Sequence, residues 1–147
     1  MEQQTESQAR ALEPTLGNAA SPASRRAVVQ LARLPPALKE NRLVCYAQWD
    51  LGNLVRCALA AGAPADARWG EQDAPVLCLA AQEGAARSLK ALLTGGADVR
   101  LADRIGGTAL HWSASNGEAA CIALLLEAGA PLEVKAVRSF RYRRASH

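Results

Sequence analysis

The sequence predicts an all-α solenoid, a row of short helix pairs stacked side by side. Three observations carry that expectation. First, anchor residues recur at a fixed interval. Leu110, Gly117 and Gly129 repeat Leu77, Gly84 and Gly96 at a spacing of 33 residues, and a third copy with Leu43, Ala47, Val55, Leu59, Gly62 and Ala63 lies 34 residues further back. Self-similarity at this length marks a stacked array. Second, half of the 147 residues are hydrophobic, yet only six are Phe, Trp or Tyr. A core of Ala and Leu favours helices. Third, apolar runs at helical spacing stop at glycine, which readily takes the left-handed conformation a sharp helix end needs.

Residues 1–20 are polar, mixed in charge and without periodicity, and read as a flexible tail. They contain no apolar h-region, so no secretory signal is expected. Arg10, Arg25 and Arg26 suit a mitochondrial transit peptide, whereas Glu2, Glu6 and Glu13 oppose one. Residues 21–35 predict a helix capped by Ser21 or Ser24, with Val28, Leu31 and Ala32 on one face. Its expected role is a lid over the first repeat, because a terminal unit needs one face that meets water. A membrane-surface helix is the weaker alternative, since the apolar face is short and carries no aromatic residue. Pro35 and Pro36 then break the chain and start the next helix.

Repeats follow over about 36–69, 70–102 and 103–135. In the third, Thr108 caps a first helix and Leu110, Ser113 and Ala114 give it a lean face. Asn116–Gly117 ends that helix. Ile122, Leu125 and Leu126 make the buried face of a second helix, which Gly129 stops. In the first repeat Asp50 stands where the later copies have Gly. Asp tolerates the left-handed conformation less well than Gly but better than most residues. Trp69 is the extra residue between the first two repeats and is placed at the base of a longer, finger-like loop. A fourth copy would begin near 141–144, where Arg141, Tyr142, Arg143 and Arg144 stand instead. The stack is therefore expected to end on an open face around Ile122–Leu126, either a partner-binding surface or the mark of a longer product cut short.

These units resemble the ankyrin repeat. GGTALH at 106–111 stands where that family has G-x-T-P-L-H, and ALLLEAGA at 123–130 where it has V-x-L-L-L-x-x-G-A. Ala109 replaces the usual Pro, Cys78 replaces the usual His, and Pro75 falls one position early. The resemblance covers about 43–135 and implies a short ankyrin-repeat solenoid of about three repeats with an N-terminal capping helix. It also implies that His111 is a structural histidine of the repeat loops. The ligand face it implies consists of loop tips and the exposed sides of first helices. The matching residues are Gln48 and Trp49 in the first repeat, then Arg68 and Trp69, then Glu71, Gln72, Ala74, Gln82 and Glu83 in the second. In the third they are Arg104, Ile105, Gly107, Trp112, Ser115 and Asn116. Tryptophans are over-represented at interface hot spots, and Glu71, Asp73 and Glu83 suggest a partner with positive charge.

No pattern supports catalysis or a cofactor. The four cysteines, Cys45, Cys57, Cys78 and Cys121, form no C-x-x-C pair and have no histidine cluster beside them. Free thiols in a reducing compartment, cytoplasm or nucleus, are the expectation. Gly106–Gly107 is a turn and matches neither phosphate-loop pattern. No apolar run approaches the length of a transmembrane helix, about 18 residues or more. Charge is unevenly spread. Residues 36–134 carry eight Lys/Arg against eleven Asp/Glu, whereas 135–147 carry Lys135, Arg138, Arg141, Arg143 and Arg144 and no acid. The segment 136–147 reads as a disordered basic tail, with contact to nucleic acid or another acidic surface as the alternative. The function expected from the resemblance is a non-catalytic protein–protein interaction module or adaptor. It would be a monomer unless the open third-repeat face self-associates.

Overall fold

The structure, a computed structural model, describes residues 6–17, 21–71 and 73–130. Its helices are α1 (Glu6–Leu12), a 3-10 turn (Glu13–Leu16), α2 (Pro22–Ala32), α3 (Pro36–Gln48), α4 (Gly52–Ala60), α5 (Val76–Gln82), α6 (Ala86–Thr94), α7 (Ala109–Asn116) and α8 (Ala119–Glu127). The first helices α3, α5 and α7 pack in one row, and the second helices α4, α6 and α8 in another. The helices of the repeats run from about two to fewer than four turns. Such pairs bury their apolar faces only by stacking, and the core runs without interruption from Leu43 and Val55 through Leu77 and Leu89 to Leu110 and Leu125. This is the all-α stack that the repeat spacing predicts.

Local chemistry sets the helix ends. Ser21 caps α2 by accepting from the Ser24 amide at 3.1 Å. Pro36 opens α3 directly after Pro35, in the position where a missing N–H costs nothing. Thr108 accepts from the His111 amide at the start of α7, while His111 Nδ1 accepts from the Thr108 amide at 3.0 Å, a reciprocal cap. Gly117 ends α7 at φ 70°, and Asp50 after α3 lies in the same region at φ 58°. Two short strands, β1 (Arg68–Trp69) and β2 (Ala74–Pro75), pair antiparallel with Trp69 opposite Ala74.

Four expectations need correction. Residues 6–17, expected within a flexible tail, form α1 and the 3-10 turn. Ala9 and Leu16 are fully buried, and the Glu13 carboxylate accepts from the amides of Asn53 at 2.8 Å and Leu54 at 3.1 Å. Arg56 closes the same seam by donating to the Leu16 carbonyl. On α2 the inward stripe runs through Ser24, Ala27, Val28 and Leu31, and Ala32 faces out. On α7 the buried positions are Ala109, Leu110, His111 and Ser113, and Ala114 is exposed. On α8 Leu125 is fully buried and Ile122 half-buried, but Leu126 is 49% exposed because α6 and α7 cover only the side of the helix that carries Cys121 and Leu125. The Arg141–Arg144 region lies outside the described residues.

The junctions between second helices follow one rule with a reversal. Glu13 supplies the acceptor for the first amides of α4. Asp50 supplies it for α6, through Oδ1 to the Ser88 amide at 3.1 Å. At the third junction the residue in the Asp50 position is Gly84, and the acid is Glu118, directly before α8. A Cβ added at Gly84 would lie 2.7 Å from the Glu118 carboxylate. Free amides at a helix start favour a carboxylate on both hydrogen-bonding and dipole grounds.

Two outcomes follow. Asp50→Asn keeps an acceptor in a residue that tolerates the left-handed region and is expected to unfold in urea within about 0.5 kcal/mol of the parent. Asp50→Ala loses the acceptor and keeps the strain, and is expected to cost about 1–3 kcal/mol. Glu13→Ala is expected to cost about 1–2 kcal/mol and to speed hydrogen exchange at the Asn53 and Leu54 amides; unchanged exchange would show that residues 6–17 do not cap α4 in solution.

Candidate functional site

The residues expected at the ligand face come from three places. Gln48, Gln82 and Asn116 are the last residues of α3, α5 and α7, and all three are exposed. Asn116 Nδ2 donates to the Gln82 carbonyl at 2.9 Å, which ties the second and third members of that row together. Glu83 is exposed beside Gln82, and Ser115 is half-buried.

The second source is the β1–β2 hairpin. Gly70 at φ 83° and Asp73 at φ 51° turn the chain between the strands. Trp69 is 46% exposed, and Glu71 is exposed at the tip. Arg68 holds the hairpin to the next loop. Its Nη1 donates to the Asp73 carbonyl at 2.9 Å and to the Ala102 carbonyl at 3.0 Å, and it pairs with the Asp73 carboxylate at 3.5 Å. Ala74 is buried under the finger. Gln72 lies outside the described residues.

The third source is the turn at 103–107. Asp103 is buried, and its Oδ1 accepts from the amides of Ile105 at 3.1 Å and Gly107 at 2.9 Å. Its Oδ2 accepts from the Trp112 indole at 2.9 Å. One carboxylate thus fixes both the turn and the ring. Arg104 is exposed at the tip, Ile105 is half-buried, and Gly107 is buried. Sequence reasoning passed over Asp103. An acid followed by a glycine pair in a turn was the available signal, since Asp side chains commonly bond the amides that follow them.

The tryptophans therefore differ. Trp49 packs against the core and tilts against Tyr46, with ring centroids 6.5 Å apart at 57°. Trp112 is half-buried and pinned by Asp103. Trp69 is the most exposed of the three. Lys135, Arg138, Arg141, Arg143 and Arg144 lie outside the described residues.

The cysteines are free thiols, three buried and Cys45 half-buried. Burial raises all four above the usual thiol range. Cys78 sits where the third repeat has His111. Its sulfur lies 3.7 Å from the Gly107 carbonyl and 3.9 Å from the Leu101 carbonyl, and it is pushed up to about 12 by burial and by the Asp103 charge. Such thiols are poor nucleophiles. Among the described residues no group of three His, Cys, Asp or Glu side chains converges as metal ligands would. No described helix is long and apolar enough to cross a membrane.

The folded chain holds the Cys78 proton more tightly than the unfolded chain does. Its contribution to stability is complete below the ordinary thiol value of 9.0 and is lost as pH rises toward about 12. Between pH 9 and 10 the parent is expected to lose about 1 kcal/mol more unfolding free energy than Cys78→Ser, whose side chain does not titrate there. Parallel urea titrations that keep a constant offset would contradict this.

A search of curated proteins returned no match to this chain. A family model describing ankyrin repeats in three copies matches residues 43–137. That span takes in the three helix pairs from Leu43 in α3 onward and both finger-like turns, so the chain belongs to the ankyrin repeat family.

Proposed function

We propose that the chain is a non-catalytic protein-binding module, an adaptor, that presents its loop tips and first-helix ends to a basic segment of a partner protein. Ankyrin repeats are in general protein–protein interaction modules. The observation that carries the reading here is Trp69. A large apolar ring is 46% exposed on a hairpin whose backbone is fixed by strand pairing and by Arg68. Burying such a ring against a partner removes apolar area from water at little ordering cost, because the hairpin is already rigid. Glu71 on the hairpin and Glu83 just after α5 are both exposed, and they favour positive charge in the partner. Trp112, Arg104 and Ile105 extend the same surface toward the third repeat, whereas Trp49 belongs to the frame. The compartment expected from four free thiols is a reducing one.

The test is site-specific photo-crosslinking on the full chain. A crosslinker in place of Trp69 is expected to capture a defined protein, and one in place of Val29, exposed on α2, is not. Trp69→Ala is expected to weaken that complex at least about tenfold with the urea midpoint unchanged. Equal capture from both positions, or binding indifferent to Trp69→Ala, would remove the hairpin from the interface.

A further inference from the structure

The opposite side of the stack carries a second, chemically different surface. A cavity of ≈ 800 Å³ lies along the outer seam between α4 and α6. The helices approach closely at both ends of that seam. At the start, a Cβ on Gly52 would lie 3.0 Å from the Arg87 carbonyl; at the finish, a Cβ on Gly95 would lie 2.6 Å from Leu59 Cδ1. Leu59, Ala60 and Ala91 supply the apolar part of the lining, beside Asn53, Arg56 and Thr94. The size falls within the range of pockets that take compact ligands.

The charges around this seam are unequal in commitment. Glu13 lines the cavity, but both its oxygens are held by the Asn53 and Leu54 amides. Arg56 is spent on the Leu16 carbonyl, Asn53 and Ser24. Arg87 and Lys90 are different. They are exposed, stand one helical turn apart on α6, and have no ion-pair partner among the described residues. The seam thus offers an apolar floor with two uncommitted cations on one rim, while the opposite face shows exposed acids.

We infer that this groove is a second docking site, for a short acidic peptide segment that inserts a leucine-sized side chain between α4 and α6 and pairs two carboxylates with Arg87 and Lys90. A partner carrying carboxylates one helical turn apart matches the spacing of the two cations. The apolar floor gives affinity, and the cations set orientation and exclude basic segments. The site is separate from the hairpin surface, and neither reading depends on the other.

The test uses the full chain and a fluorescein-labelled peptide with Glu residues one helical turn apart and Leu between them. Saturable binding by anisotropy is expected, weakening as salt rises. Arg87→Glu/Lys90→Glu is expected to lower affinity at least about tenfold. Ala60→Trp, which fills the groove without changing charge, is expected to do the same, and Trp69→Ala to leave affinity unchanged. Should the charge-reversed pair shift the urea midpoint, Arg87→Gln/Lys90→Gln replaces it. No saturable binding by the parent overturns the inference. So does equal binding of a peptide with every Leu changed to Ser, which would mark a charged surface without a groove. Tighter binding to phosphatidylserine vesicles than to the peptide, unaffected by Ala60→Trp, would overturn it in favour of a membrane surface.

Discussion

The first amides of a helix have no partner within it, and here that need is met from outside the repeat. Glu13 reaches α4 and Asp50 reaches α6, across 40 and 38 residues of sequence. Helices of nine residues, as α4, α6 and α8 are, would not persist alone in water. Stacking gives them an apolar interior, and for α4 and α6 a carboxylate from the preceding layer fixes where the helix begins. The positions of the first helices, the hairpin and the finger-like turns follow from that frame. The loop face is therefore a property of neighbouring layers together, and no single repeat contains it.

Two further ties keep the loop face stiff. Arg68 joins the hairpin to the Ala102 backbone, and Asp103 joins the next turn to the Trp112 ring. Both are made by charged groups with several acceptors or donors engaged at once, the arrangement in which hydrogen bonds contribute most. They leave Trp69, Glu71 and Arg104 outward on a fixed base. Stiffness on this face and small residues along the outer seam are complementary results of the same packing, since glycine at 52 and 95 lets α4 and α6 approach without filling the space between them.

What the sequence revealed was mostly what is local or periodic. The spacing of Leu77 and Leu110, the stops at Gly84 and Gly117, the Ser21 and Thr108 caps and the left-handed Asp50 are each decided within a few residues, and each stands as expected. The role of residues 6–17 was hidden, because Glu13 acts on amides far along the chain and its own segment shows no apolar period. Side-chain direction was harder than helix existence. Ala32, Ala114 and Leu126 fit a helical stripe on paper, but rotating a short helix by one position turns such residues to water. The three tryptophans read alike as ligand-face residues, yet Trp49 packs against the core and the ring that stands out most is Trp69 on the hairpin.

The reversal at the third junction has a consequence for how the array is assembled. Asp50 faces a layer whose pre-helix residue is Ala85, and Gly84 faces one whose pre-helix residue is Glu118. Each pairing joins one acid with one small neutral residue. Bring the first repeat directly before the third and two carboxylates meet; bring two copies of the second together and the helix start has none. The three units are alike in outline but are not interchangeable parts, and their order along the chain is written into the seams.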